Sequence, residues 1–306
     1  MQHAFIMNPL DTVKPWKDTT YFLMKACQER GHKVCYLDQQ WLWLNHDKLH
    51  ARVQWVRVND DNDQPFTVLQ EESLDLGQVD VVWLRTDPPF DRRYFYTTLL
   101  LDYLPVSTRV LNRPEGVRNW NEKLAALYCP AHTPRTIVSS DINEIKRFCE
   151  KEGKITIKPI DGFGGKGIVF YQQGDDENLI RHATHDGSHW VIAQEYLAAA
   201  SEGDKRILML NGEPLGAILR VHAEGVELNN LDQGGSAHPV GLTDVDLEIC
   251  VALKPGLIEQ GVFFVGIDII GDKLIEVNVT SPTGLQEMSR FNQQDFHHQI
   301  VEALEH

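Results

Sequence analysis

Apolar runs alternate with turn-forming clusters along this chain at the spacing of an α/β protein. Ala4-Phe5-Ile6-Met7 reads as a short buried strand, closed by Asn8-Pro9. Thr19 to Arg30 reads as a helix, Gly31 stands at its C-terminal cap position, and Lys33 to Leu37 forms a second strand, a β-α-β opening. After a charged, strand-poor stretch at Asn59 to Gln64, read as a surface turn, Val79 to Leu84 forms another apolar strand. Arg85-Thr86-Asp87-Pro88-Pro89-Phe90 cannot continue it centrally, because proline lacks a donor and fixes φ. A loop is expected there, at the strand end where open α/β sheets place ligands.

From Asn119 the pattern changes. A helix is expected through Lys123, then a β-rich, glycine-rich region from Ile155 to Tyr171 and a strand from Trp190 to Tyr196. Further strands are expected at Ile207 to Leu210 and Leu215 to Val221 around an Asn211-Gly212 turn, then a hairpin from Val262 to Val279 and a terminal helix. The first boundary falls near Val117. No internal repeat or low-complexity tract interrupts the pattern.

Composition narrows the function classes. A chain of 306 residues suits two or three units sharing a cleft. A formal net charge of -15 argues against nucleic acid and anionic membrane as partners, since phosphate binding needs a clustered positive field. No stretch reaches the roughly 20 apolar residues of a membrane helix, and no export signal opens the chain. The five cysteines form no C-x-x-C pair and suit reduced thiols in the cytoplasm.

Gly162-Phe163-Gly164-Gly165-Lys166-Gly167 satisfies G-x-G-x-x-G, but the following Ile168-Val169-Phe170-Tyr171 is strand-like rather than helical. The loop therefore joins two strands, and by itself it reads as a glycine-rich surface hairpin. Lys158, just before it, supplies a cation and turns the reading towards a lid over a polyphosphate, whose oxygens backbone N–H groups can approach. In the last hairpin Asp268, Glu276 and Asn278 stand among aliphatic residues, where ionisable groups are costly unless paired with cations. Glu276 and Asn278 share one strand face; Asp268 joins them only if the turn holds an odd number of residues, such as Gly271 to Lys273. Two carboxylates and an amide oxygen suit Mg²⁺.

Other polar residues read more blandly. Lys123 reads as an ordinary solvated lysine near a helix start, and Gly203-Asp204-Lys205-Arg206 as an exposed charged turn. Arg206 and Arg220 at the edges of apolar strands are more pointed. Ser281-Pro282-Thr283-Gly284 offers helix-capping donors that would equally receive a substrate carboxylate. His297 and His298 lack a third ligand within their helix and read as surface residues.

Five ordered segments together resemble the bacterial glutathione synthetases over nearly the whole chain. They are Arg85 to Asp91, Asn121-Glu122-Lys123-Leu124, Lys158 to Gly165, Gly203 to Arg206 and Glu276 to Thr283. The resemblance implies an ATP-grasp fold of mixed α/β and α+β class. It implies an N-terminal Rossmann-like substrate domain at 1–118, a central lid at 119–197 and a C-terminal catalytic domain at 198–306. It also implies ATP and Mg²⁺, with Mn²⁺ as a substitute, and a homotetramer. Lys123, Lys158, Gly162, Gly164, Gly165 and Asp204 would hold the nucleotide, with Gln194-Glu195-Tyr196-Leu197 on its adenine side. Arg206 and Arg220 would neutralise the transferring phosphoryl group and the acyl phosphate, while Asp268, Glu276 and Asn278 bind metal. Arg85, Asp87, Ser281 and Thr283 would meet the substrates, γ-glutamylcysteine and glycine.

The sequence departs from that pattern twice. Met7-Asn8-Pro9 stands where the family usually has Met-Asp-Pro. The loop Leu228-Asn229-Asn230-Leu231-Asp232-Gln233-Gly234-Gly235-Ser236 keeps the family's core but lacks its arginines, and Glu227 and Asp232 make it acidic. Beside glutathione synthesis this leaves open a peptide ligase with other substrates and a non-ligating ATP-binding protein.

Overall fold

The computed structural model describes residues 1–221 and 235–305. The first sheet is built from β1 (Gln2–Ile6), β2 (Lys33–Leu37), β3 (Leu42–Asn45), β4 (Lys48–Val58), β5 (Phe66–Asp75), β6 (Val81–Leu84) and β7 (Arg109–Leu111). Buried β1 lies parallel to β2 and β6, and β6 parallel to β7. Helix α1 (Thr19–Glu29) makes the first crossover: the Asp18 carboxylate accepts from the Tyr21 N–H at its start, and Gly31 at φ +80° follows its end. Helices α2 (Arg92–Leu101) and α3 (Pro114–Asn119) follow, α3 opening on proline.

The Asn59–Gln64 turn connects β4 and β5, both long strands of this sheet. Strand β5 was hidden in the sequence because it is a polar, largely exposed partner of β4, with Glu71 and Glu72 along it.

The second sheet contains β8 (Thr136–Ser139), β9 (Lys154–Pro159), β10 (Val169–Gln172) and β11 (Val191–Glu195), antiparallel in the order β10-β9-β11-β8. Helices α4 (Ile142–Glu152) and α5 (Asn178–Ala183) accompany it. The third contains β12 (Asp204–Leu210), β13 (Glu213–Val221), β14 (Ser236–Pro239), β15 (Phe264–Ile270) and β16 (Lys273–Asn278), antiparallel in the order β14-β13-β12-β15-β16. Helix α6 (Asp244–Gln260) starts on a Thr243–Asp246 capping box. The expected terminal helix is two, α7 (Leu285–Asn292) and α8 (Phe296–Glu302), separated at Gln293, which adopts φ +51°. A parallel core followed by antiparallel sheets gives the mixed α/β and α+β class.

The expected helix through Lys123 is absent. The helix ends at Asn119, and residues 122–124 form a turn because Asn121 Oδ1 accepts from the N–H groups of Lys123 and Leu124. Val277 N–H donates to Glu122 O at 2.7 Å and Leu274 N–H to His132 O at 2.8 Å, so this stretch hangs on β16.

Packing divides the molecule unevenly. One apolar cluster joins Ile6 and Leu84 of the first sheet with Ile207, Ile267 and Val277 of the third. Another joins Phe5 and Trp83 with Leu208 and Phe264. The second sheet has its own cluster around Ile145, Ile155, Ile157 and Ala193. Asn112 stitches the first sheet to the third: its amide donates to Phe264 O and Val279 O and accepts from the N–H groups of Phe263 and Phe264, each at 2.8 Å. No helix among the described residues is long and apolar enough to cross a membrane.

Candidate active site

A cleft of about 850 Å³ opens between the three sheets. Its floor is one face of the third sheet, and strand register decides what lies there. Asp204 pairs with Arg220, Arg206 with Asp268, Asp268 with Glu276, and Gly266 with Asn278. Directly opposed residues and their second neighbours share a face, so these polar groups point one way while Ile207, Ile267 and Val277 enter the core.

The turn between β15 and β16 holds two residues, Gly271 and Asp272, not the odd number expected. Ile269 pairs with Leu274 but Asp268 pairs with Glu276, leaving Ile275 as an extra residue. That bulge shifts the side-chain parity and returns Glu276 and Asn278 to the face of Asp268.

Arg206 grips Asp268 with Nε to Oδ1 and with Nη2 to Oδ2 at 2.8 Å. Arg220 grips Asp204 through Nε and Nη2, and its Nη2 lies 3.0 Å from Asp268 Oδ2. The expected exposed turn at Gly203–Arg206 is instead the start of β12, with Asp204 and Arg206 buried. Lys205, on the opposite face, pairs with Asp246 of α6. Burial pushes the Asp268 carboxyl up, but Arg206 and Arg220 outweigh it and hold it well below the usual carboxylate range. Burial raises Asp204 to about 6 against the pull of Arg220.

Two lysines reach the cleft from different elements. Lys123 Nζ donates to Gly162 O and lies 3.5 Å from Glu276 Oε1. Lys158, near the end of β9, donates to Gln194 Oε1 at 2.7 Å, and burial lowers its pKa to about 8. Lys123, read as solvated, is buried. Between β9 and β10, Gly164 and Gly165 adopt φ of +61° and +78°, and a Cβ on Gly162 would meet Pro159 Cγ at 2.4 Å. Glu195, Tyr196 and Leu197 continue the wall, with Lys154 Nζ 3.7 Å from the centre of the Tyr196 ring.

At another wall, Arg85 donates to Thr20 Oγ1 at 3.2 Å and to Pro282 O at 2.9 Å. Burial lowers its pKa, against the fields of Asp18 and Asp87. Ser281 donates to Asp87 Oδ1 at 2.7 Å, and Arg206 Nη1 donates to Thr283 O at 3.4 Å. Asn8 accepts from Asp87 N–H at 3.1 Å and donates to its Oδ2 at 3.3 Å, where an aspartate would face another carboxylate.

The donor set fits Mg²⁺. Asn278 uses its Nδ2 on Asp268, which leaves its Oδ1 for a cation beside the oxygens of Glu276 and Asp268. The cationic pair Lys123 and Lys158, beneath a glycine loop, fits a polyphosphate.

All the residues expected to bind or react therefore line one cleft: Arg85, Asp87, Lys123, Lys158, the loop glycines, the Gln194–Leu197 strand, Asp204, Arg206, Arg220, Asp268, Glu276, Asn278, Ser281 and Thr283. Residues 226–234 of the acidic, arginine-free loop lie outside the described residues. Glu122 was missed as a site residue. Its Oε1 accepts from Thr280 N–H at 3.2 Å and Oγ1 at 2.8 Å, and burial pushes its carboxyl up. Only its position beside Lys123 in the sequence pointed to it. His297, read as a surface residue, is buried and stacks on Phe22 at 3.7 Å, while His298 pairs with Glu29 of α1 at 3.0 Å. The partner comes from another helix, which no spacing within α8 could reveal.

A glycine hairpin beside two buried lysines, facing an arginine–carboxylate sheet, is the arrangement of an ATP-grasp ligase. Among solved structures, D-cycloserine synthetase DcsG superposes with a TM-score of 0.69 at 16% identity, covering 99% of this chain and all of that one. The ATP-grasp ligase PsnB, in complex with a precursor variant, Mg and ADP, gives 0.64 at 17% identity, over 98% of this chain and 97% of its own. The prokaryotic glutathione synthetase N-terminal domain model matches residues 1–118, and that family's ATP-grasp domain model matches 122–293. Glutathione synthetase of Synechococcus elongatus is 40% identical over 100% of this chain and 98% of the relative. That of Vibrio vulnificus (strain YJ016) is 36% identical over 99% and 96%. The chain belongs to the prokaryotic glutathione synthetase family. It is an ATP-dependent ligase that forms C–N bonds and acts on small molecules.

Proposed function

We propose that the protein joins γ-glutamylcysteine to glycine, releasing ADP and phosphate. The observation carrying this reading is the continuity of one cleft from the paired lysines, through the Arg206–Asp268–Arg220 cluster, to Arg85 and Ser281. Lys123 and Lys158 hold nucleotide phosphates beneath Gly162, Gly164 and Gly165, and the Gln194–Leu197 strand receives the adenine. Asp204 positions Arg220 through its two bonds. The donor carboxylate oxygen attacks the γ-phosphorus and ADP leaves; the glycine amine then attacks the acyl carbon and phosphate leaves with that oxygen. Arg206 and Arg220 offset the charge of two anions meeting and orient them. Asp268, Glu276 and Asn278 hold Mg²⁺, or Mn²⁺ in its place, which when bound screens the phosphate charge. Arg85, Asp87, Ser281 and Thr283 position the substrates.

In this reading the units 1–118, 119–197 and 198–306 serve respectively as substrate platform, lid and catalytic floor. A cytoplasmic setting is supported by five buried free thiols. A homo-oligomer, up to a tetramer, is supported by the exposed Phe95 and Leu99 one turn apart on α2, and sedimentation tests it. A ligase of the same chemistry with another donor or acceptor is the second reading, favoured by the arginine-free sequence at 226–236.

Mass spectrometry of products from ATP, Mg²⁺ and γ-glutamylcysteine with a panel of amines separates the two. Glutathione formed in preference to every other amide supports the first reading; no product with glycine overturns it.

A further inference from the structure

Away from the cleft, two groups of metal-ligating side chains converge among the described residues: His3, Cys27 and His32, and Glu29, His297 and His298. They differ in what their nitrogens already do. Trp83 Nε1, which can only donate, donates to His3 Nδ1 at 3.1 Å. Burial keeps His3 neutral, its pKa lowered to about 3, so its one proton sits on Nε2. That Nε2 donates to His32 Nδ1 at 3.0 Å, and His32 Nε2 faces Glu305 Oε1 at 3.1 Å. A cation on His3 Nε2 would have to strip that proton and leave an imidazolate. The first group is a closed hydrogen-bond chain.

The second group is not closed. It joins Glu29, the last residue of α1, to His297 and His298 of α8, and one ligand atom from each lies within 4.8 Å of the other two. His298 Nε2 is 3.0 Å from Glu29 Oε2. His297 is 6% exposed and stacks on Phe22 of α1 with ring centres 3.7 Å apart, and its Nδ1 is buried without a hydrogen-bond partner. A buried polar atom left unpaired is destabilising and calls for a partner. Lys25, the nearby cation, is engaged by Asp60 and lies 3.8 Å from the other Glu29 oxygen, Oε1. Glu29 Oε2 is left to the histidines.

Two imidazoles and one carboxylate suit a borderline-soft divalent ion such as Zn²⁺ and suit Mg²⁺ poorly, since Mg²⁺ takes oxygen ligands. Tetrahedral Zn²⁺ sets its ligands about 3.3 Å apart. Closure therefore asks only for rotation of the partly exposed Glu29 and His298 side chains towards His297, which the Phe22 stack holds in place. Water completes the fourth position.

We propose that Glu29, His297 and His298 form a second metal site, selective for Zn²⁺ over Mg²⁺, that clips the end of α1 to α8. It is separate from the Mg²⁺ set of Asp268, Glu276 and Asn278, and no residue of α8 lines the cleft. The site is structural: Glu29 and His298 stand 269 positions apart in the chain, so the ion binds the folded state and not the unfolded one.

The test titrates the untagged, metal-stripped full chain with Zn²⁺ in excess Mg²⁺, and with Co²⁺ as a coloured stand-in whose strong visible band marks tetrahedral ligation. Wild type should bind one Zn²⁺ that Mg²⁺ does not displace; Zn²⁺ should abolish the Co²⁺ band and raise the unfolding temperature. His298→Gln and Glu29→Gln should each weaken Zn²⁺ binding by roughly tenfold or more and remove that rise. The Co²⁺ spectrum should lack the near-ultraviolet thiolate charge-transfer band that Cys27 would give. No Zn²⁺ bound in excess Mg²⁺, binding undiminished in H298Q or E29Q, or a thiolate band that places the ion on the first group, overturns the proposal.

Discussion

Lys158 has given up part of its basicity to reach the cleft. Burial lowers its pKa to about 8 from an ordinary 10.5, and a bound phosphate would restore the charge. With the free value low and the bound value high, nucleotide binding takes up a proton. Affinity should be full below pH 8 and fall by up to tenfold per unit above it. Calorimetry at pH 8.5 in buffers of different ionisation enthalpy should show net proton uptake; none in wild type would contradict the assignment, and Lys158→Met should abolish it. At the same scale, Glu276→Gln replaces an oxygen ligand by a mixed one and should raise the Mg²⁺ concentration for half-maximal rate by roughly tenfold or more. An unchanged Mg²⁺ dependence would remove Glu276 from the metal set. Residues of this kind were legible as types: a lysine beside glycines, or a carboxylate among aliphatic residues, stands out against its neighbours. Glu122 did not stand out, because its significance is a burial that only tertiary structure creates.

At the scale of elements, alternation located the strands but could not count their irregularities. Parity does decide which way Asp268 faces, yet the turn has two residues and the extra residue, Ile275, sits inside β16. An Ile between Leu274 and Glu276 has nothing in its chemistry to announce a bulge. The Lys123 segment misled for a related reason: Asn121 and Glu122 suit a helix start, and the competing Asx turn and the bond to Val277 prevail. Asn112 shows what a single polar residue contributes between elements. Its four bonds satisfy backbone groups of Phe263 and Phe264, where β15 begins, and of Val279, just past β16. Asn112→Ala strands them and should cost about 2–5 kcal/mol. Urea denaturation checks this; a midpoint within error of wild type would mean the bonds are dispensable.

Across the whole molecule, the first and third sheets share their apolar clusters while the second keeps its own. The second sheet can therefore loosen without opening the rest. Ile157→Ala, at a fully buried position of that sheet, should destabilise it by about 2–5 kcal/mol. Hydrogen exchange should then speed in β8 to β11 while β1 and β6 keep their protection; uniform acceleration would show a single cooperative unit. The β-α-β opening and the glycine hairpin were legible from local pattern. The shared cores were not, since they join residues some two hundred positions apart.

The proposed reaction turns on a donor acyl phosphate held on this sheet. The decisive measurement uses γ-glutamylcysteine carrying ¹⁸O in its cysteinyl carboxylate, turned over with ATP, Mg²⁺ and glycine. Glutathione should form together with inorganic phosphate carrying one donor-derived oxygen. Amide formed with unlabelled phosphate, or ADP released without amide, would contradict it.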